Sequence, residues 1–316
     1  MAAYSDRYYT SGDGLRLYAR DYPGPAAARL TVVCIPGLTR NSRDFENFAD
    51  HLAATYRVLC PELRGRAKSD YAKDPATYQP AMYVRDILAM LDAVGLQQVA
   101  FVGTSLGGII SMIIGAVAAT RVLGIVVNDI GIEVDAGGMS RIAAYVARGY
   151  SGPSWAAAAE ALRQLDGKIF PTYTEADWIR MAKRRFVAAP DGAIRHDYDL
   201  NIAKAFGNAT EAQSNAGGLR PFFRQLSDIP LLALRGALSD VLSQDTFDEM
   251  KRIHPHMIQC TVPNRGHTPY LDEPEALAAI DPFLAALPSR LPLLVRGRRA
   301  LRQTAFMAGY KLGMIR

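Results

Sequence analysis

Ser105 stands within Gly103-Thr104-Ser105-Leu106-Gly107-Gly108, between a β-branched apolar run over 99–102 and an apolar run of helical length over 109–119. A serine flanked by glycines at a strand-to-helix corner is the pattern of a nucleophile elbow. The turn is too tight for neighbouring side chains, and the hydroxyl is left projecting above the sheet. A hydroxyl is a poor nucleophile at neutral pH and needs a base. Five histidines are available. His51 falls in a sheet-flanking helix, His254 and His256 bracket Pro255 in a solvated connection, and His196 lies in a helical region where it could at most touch substrate. His267, in Asn264-Arg265-Gly266-His267-Thr268-Pro269, follows the last strand at the carboxyl edge of the sheet. The elbow opens at that edge and ligands of open α/β sheets bind there, so His267 is the expected base.

The base in turn needs a carboxylate to hold its tautomer. Asp240, in Arg235-Gly236-Ala237-Leu238-Ser239-Asp240 after the strand over 230–234, is the preferred acid because the order Ser105…Asp240…His267 resembles that of α/β-hydrolases. Asp129, just after the strand over 124–127, is the alternative; its plain reading is a turn cap.

These residues must be positioned by a sheet. An opening hairpin is expected over 8–11 and 15–22, joined through Asp13-Gly14. The continuous apolar run over 30–35 reads as a strand buried on both faces. Helices over 45–54 and 81–94 then alternate with strands over 57–60, 99–102 and 124–127, the rhythm of a doubly wound, mostly parallel sheet. Between about residues 133 and 223 the rhythm breaks, with no strong strand and helical segments over 140–150, 154–165, 175–188 and 199–206. That stretch reads as an inserted helical cap. The α/β rhythm resumes with a strand over 230–234, a helix over 245–253, a strand over 258–262 and a helix over 274–287. The expected organisation is a core over 1–132 and 224–288, a cap over 133–223 and a basic extension over 289–316.

A 316-residue chain with 49% hydrophobic and 21% charged residues is an ordinary globular composition, which excludes disorder and coiled coil. Cys34, Cys60 and Cys260 occupy strand-like apolar positions and read as buried thiols of a reducing compartment. With no signal-peptide pattern at the start, a cytoplasmic protein is expected. The net charge of +5 belongs to the tail: Arg290, Arg296, Arg298, Arg299, Arg302, Lys311 and Arg316 are its seven cations, it holds no acid, and without it the chain carries −2. An acidic body argues against nucleic-acid binding. Leu301, Ala305, Ala308, Leu312 and Ile315 recur at helical spacing among the arginines. This weakly amphipathic segment is either a membrane-surface or partner contact or a plain solvated extension, with Gly297, Gly309 and Gly313 acting against a long helix.

Taken together, the elbow, Gly266-His267 with Leu271-Asp272-Glu273-Pro274, and Arg235-Gly236 with Asp240 resemble the α/β-hydrolase fold superfamily over roughly residues 5 to 288. The resemblance implies an oxyanion hole from the backbone N–H groups of Leu38 and Leu106. Two features depart from the pattern. Pro36-Gly37-Leu38 replaces the usual His-Gly, and Glu62-Leu63-Arg64-Gly65-Arg66-Ala67-Lys68-Ser69 replaces an acid and a glycine; Ala67 is strained if its φ must be positive. A serine nucleophile sets the chain apart from dehalogenase-like and epoxide-hydrolase-like members, which use aspartate. The implied activity is hydrolysis of a small or medium carboxylic ester or lactone without metal or organic cofactor. The alternatives are carbon–carbon bond hydrolysis of ring-cleavage diketones and a non-catalytic ligand-binding role. Trp155 and Trp178 of the cap, with Arg64 and His196, are the candidate substrate contacts.

Overall fold

Eleven strands are found in the computed structural model, which describes residues 2–205 and 218–311. They are β1 (Ser5–Thr10), β2 (Arg16–Tyr22), β3 (Thr31–Ile35), β4 (Arg57–Glu62), β5 (Val99–Thr104), β6 (Val122–Asn128), β7 (Ser151–Gly152), β8 (Phe186–Ala188), β9 (Ile194–His196), β10 (Leu231–Gly236) and β11 (Ile258–Val262). Eight form one sheet in the order β1-β2-β4-β3-β5-β6-β10-β11. The β1–β2 and β2–β4 pairs are antiparallel and every later pair is parallel.

The burial of β3 shows why its apolar run is continuous. Val33 and Ile35 pack on one face with Phe101, Ile87 and Ile110, while Val32 and Cys34 pack on the other with Phe48, Val58 and Phe283. Helices α2 (Pro80–Ala93) and α3 (Leu106–Val117) cover the first face; α1 (Glu46–Leu52) and α9 (Pro274–Ala286) cover the second. Cys34 and Cys60 are buried free thiols, but Cys260 is only half-buried because β11 is the edge strand.

The cap contains α4 (Ala136–Arg148), α5 (Trp155–Asp166) and α6 (Glu175–Arg185). Each begins at a polar cap: Asp135 accepts from the Gly137 N–H, Ser154 from Ala157, and Thr174 forms a reciprocal capping box with Asp177. One expectation fails here. The third helix stops at Arg185, and β8 with β7 and β9 makes a small antiparallel sheet. These strands are two or three residues long, too short for a visible alternation. The segment expected over 199–206 runs beyond the described residues, as do Leu312, Ile315 and Arg316 of the tail. After the cap come α7 (Arg220–Arg224), α8 (Gln244–Ile253), α9 and α10 (Leu293–Lys311).

Despite its glycines the tail forms a 19-residue helix, and the face it packs is not its leucine stripe. Arg299 is buried, donating to the carbonyls of Val122 (2.6 Å) and Asp228 (2.6 Å), and Phe306 rests against Phe222. Leu293, Leu294 and Leu301 face outward.

Candidate active site

At the end of β5 the chain turns into α3 through Ser105, whose backbone sits at φ 52°, ψ −115°. This is a strained, left-handed position for a residue with a side chain. Gly103 and Gly107 make the turn possible. A Cβ on Gly103 would strike the Gly107 carbonyl, and one on Gly107 would strike the Ile35 carbonyl. The Ser105 N–H donates to the Asn128 carbonyl at 2.9 Å, tying the elbow to β6.

Ser105 Oγ lies 2.9 Å from His267 Nε2. His267 Nδ1 lies 2.8 Å from Asp129 Oδ2. Asp129 is fully buried, and its other oxygen accepts the Gly236 N–H at 2.7 Å while Ser239 Oγ donates to Oδ2 at 2.7 Å. Ser105, His267 and Asp129 thus form a continuous hydrogen-bonded chain from hydroxyl to buried carboxylate. The preferred acid of the sequence reading is corrected by this geometry: Asp240 does not bond to His267. The loop after β10 turns at Gly236, sends its backbone N–H and the Ser239 hydroxyl to Asp129, and carries Asp240 past them to the cap. There Arg141 grips Asp240 with two hydrogen bonds, 2.6 and 2.9 Å. Burial would raise the Asp240 carboxyl, but the hydrogen bonds and charge of Arg141 outweigh it and hold the group below its ordinary range.

Leu38 and Leu106 border the same cavity as Ser105 and His267. Among the described residues neither N–H has an acceptor, and Leu106 begins α3, where backbone donors are left over. Sequence reading missed Arg66, which is fully buried and donates through Nε (2.9 Å) and Nη2 (2.7 Å) to the Leu38 carbonyl. It thereby fixes Leu38 from its carbonyl side, one peptide away from the N–H of the same residue. Its guanidinium carbon lies 4.9 Å from the centre of the Tyr83 ring and 5.8 Å from that of Tyr78, and the Tyr83 hydroxyl accepts from it at 3.0 Å. The only available signal was an arginine inside an otherwise tight turn. In that turn Ala67 does adopt a positive φ of 46°, and its N–H donates to Asp197 of the cap at 3.0 Å. Glu273 was equally unforeseen as a fastener of the histidine loop. It accepts from the N–H groups of Tyr270 and Leu271 and from Arg265, and burial pushes its carboxyl up.

Three candidate contacts change role. Arg64 is fully buried between Asp86 and Asp13 and does not reach the cavity. Trp178 is buried against Phe170 and Tyr173, and Trp155 packs half-buried on the same cluster, so both hold the cap together rather than border the site. Aromatic residues at helical spacing serve a small helical layer first as its core. His196 borders a neighbouring chamber, its Nδ1 lying 3.1 Å from the Tyr150 nitrogen and 3.0 Å from the Tyr150 carbonyl oxygen. The cavity wall is instead Tyr78, Tyr83, Ile109, Ile130, Met139 and Tyr145, with Arg40, Arg141 and Arg185 around it.

The chain belongs to the alpha/beta hydrolase fold family, which it matches over residues 31–274. It is 30% identical over 273 residues to the 3-hydroxybutyrate-oligomer hydrolase of Cupriavidus necator, covering 85% of this chain and 92% of that protein. An alpha/beta hydrolase from Novosphingobium aromaticivorans is 46% identical, with a TM-score of 0.85 over 90% of this chain and 99% of its own. At 21% identity, an E-2-(acetamidomethylene)succinate hydrolase shares the fold, with a TM-score of 0.76 over 90% of this chain and all of the other.

Proposed function

We propose that this protein hydrolyses carboxylic esters through a Ser105 acyl-enzyme, acting on short oligoesters of a hydroxy acid or on lactones of similar size. The observation that carries the reading is the hydrogen-bonded chain Ser105–His267–Asp129 beneath two unpaired backbone donors. His267 Nε2 takes the Ser105 proton as Oγ attacks the acyl carbon, and the carbonyl oxygen becomes an oxyanion facing the Leu38 and Leu106 N–H groups. Asp129 stabilises the imidazolium without taking its proton. His267 then gives that proton to the leaving alcohol as the tetrahedral intermediate collapses to the acyl-enzyme. Water, deprotonated by the same imidazole, attacks the acyl carbon and releases the acid, and the proton returns to Ser105. Protein groups and water suffice for every step.

The oligoester class is supported by the similarity to the 3-hydroxybutyrate-oligomer hydrolase. Carbon–carbon cleavage is the second reading; of the polar groups it could use, Arg64 is held by two aspartates, the Asn128 amide nitrogen is bound to Thr104 and the Pro269 carbonyl, and His196 borders the neighbouring chamber. The test is release of 4-nitrophenol from 4-nitrophenyl butyrate, and of monomer from a linear 3-hydroxybutyrate trimer. Turnover of both by the native chain and neither by Ser105→Ala is expected. Wild-type rates in that variant would overturn the mechanism.

A further inference from the structure

Beside the catalytic cavity lies a second chamber, and the two share Arg141, Tyr145 and Arg185 as a common wall. The charge around the second chamber is one-sided. Arg141, Arg148 and Arg185 border it, together with His196, and no carboxylate does. Apart from Thr39, the rest of its surface is apolar or aromatic, including Leu162, Leu165, Tyr150 and Phe186.

The anions nearby are Asp166 and Asp240, and both lie to the side. Asp166, buried in the catalytic wall, binds Arg185 at 2.8 Å and Arg141 at 3.3 Å, and Asp240 takes the remaining face of Arg141. Arg141 and Arg185 therefore share two carboxylates, and Arg148 adds a third cation with no carboxylate of its own among the described residues. The neighbouring Arg40 is already matched by Asp44. The excess of cations is also visible in hydrogen bonding: buried Arg185 Nε has no partner, and exposed Arg148 has no carboxylate partner among the described residues. A buried guanidinium N–H left unpaired is costly, and planar carboxylates are the ligands that guanidinium groups match in pairs.

We propose that this chamber binds a carboxylate carried by the substrate itself, making the enzyme selective for esters with a free acid end. The inference rests on the ester-hydrolase reading above and adds where the anion goes. In a linear oligoester of a hydroxy acid the free carboxylate sits on the leaving hydroxy-acid portion. Its capture by Arg148 and Arg185 fixes that portion while the adjacent ester carbonyl lies at Ser105. The apolar walls accept the intervening carbons, and the fixed cations set the register of the chain.

The experiment compares kcat/KM for a linear 3-hydroxybutyrate trimer with a free carboxylate against the same trimer capped as its terminal amide. The native chain should prefer the acid by about 10-fold or more, with most of the difference in KM. In Arg148→Gln the acid-to-amide ratio should fall toward one, and in Arg148→Lys most of it should return. A ratio is independent of the folded fraction, so a merely unstable variant leaves it unchanged. Equal rates for acid and amide in the native chain, or an unaltered ratio in Arg148→Gln, would overturn the proposal. If 4-nitrophenyl butyrate is turned over while the trimers are not distinguished, only the carboxylate site fails. If no ester is cleaved at all, the parent reading fails and the site with it.

Discussion

Two neighbouring strand ends offer His267 an aspartate, and they are built for different work. Asp129 leaves β6 in a left-handed conformation (φ 56°), fully buried, with a backbone N–H, a serine hydroxyl and an imidazole on its two oxygens. Asp240 leaves the loop after β10, about one-third exposed, and is held by a cap arginine. A buried carboxylate is tolerated only where its oxygens are satisfied, and fixed donors in a dry site are what orient an imidazole. The β10 loop supplies those donors to the β6 acid instead of supplying the acid itself. The lesson is that the same residue type at neighbouring strand ends divides into a buried partner of the histidine and a fastener between core and cap.

The comparison can be broken by substitution. Ser105→Ala should reduce kcat by about 10⁶-fold on 4-nitrophenyl butyrate, the background against which the two acids are judged. Asp129→Asn should cost about 10⁴-fold, because an amide next to Nδ1 favours the wrong tautomer. Asp240→Asn measured in parallel should stay within about 10-fold of wild type on this neutral ester, since it touches no reacting atom. If the two losses were reversed, the assignment of acids would be wrong. Ser239→Ala sharpens the contrast: it removes one of the donors to Asp129 and should lower thermal stability by about 1 kcal/mol, with a kcat loss intermediate between the two aspartate variants.

The smallest effect is a pH dependence. Asp240 has a carboxyl held below its ordinary value of 3.8 in the folded chain. A lowered folded-state pKa contributes stability above the unfolded value, and that contribution is lost as pH falls through the folded one. Wild type should thus exceed Asp240→Asn in urea midpoint at pH 7, and the gap should close below about pH 4. The partial exposure of the pair keeps the gap near or under about 1 kcal/mol. A gap that widened in acid would contradict the ion pair with Arg141.

Legibility followed the range of the interactions. The elbow could be read because its constraint is local: Gly103 and Gly107 are required by atoms of the same turn and of adjoining β3. His267 could be read because only one histidine follows the last strand. Helices with polar caps, such as α6 with Thr174 and Asp177, were recoverable within a few residues. What escaped was contact across long separations. Arg64 resembled a free cation until Asp13 and Asp86 closed on it, and Arg66, whose hold on the Leu38 carbonyl spans 28 positions, gave no motif. In the tail, Leu301 marked an apparent apolar face, whereas Arg299 and Phe306 make the actual contacts with the body.

The succession of core strands along the chain, the strained serine corner and the histidine beyond the last strand follow from residue type and spacing, because backbone sterics and hydrophobic periodicity act between near neighbours. Which aspartate meets that histidine depends on side chains 138 positions apart, and which arginines are left unmatched beside the cavity depends on partners 19 to 99 positions away. Those choices are made by packing and charge compensation in three dimensions, where a one-dimensional pattern carries no distance.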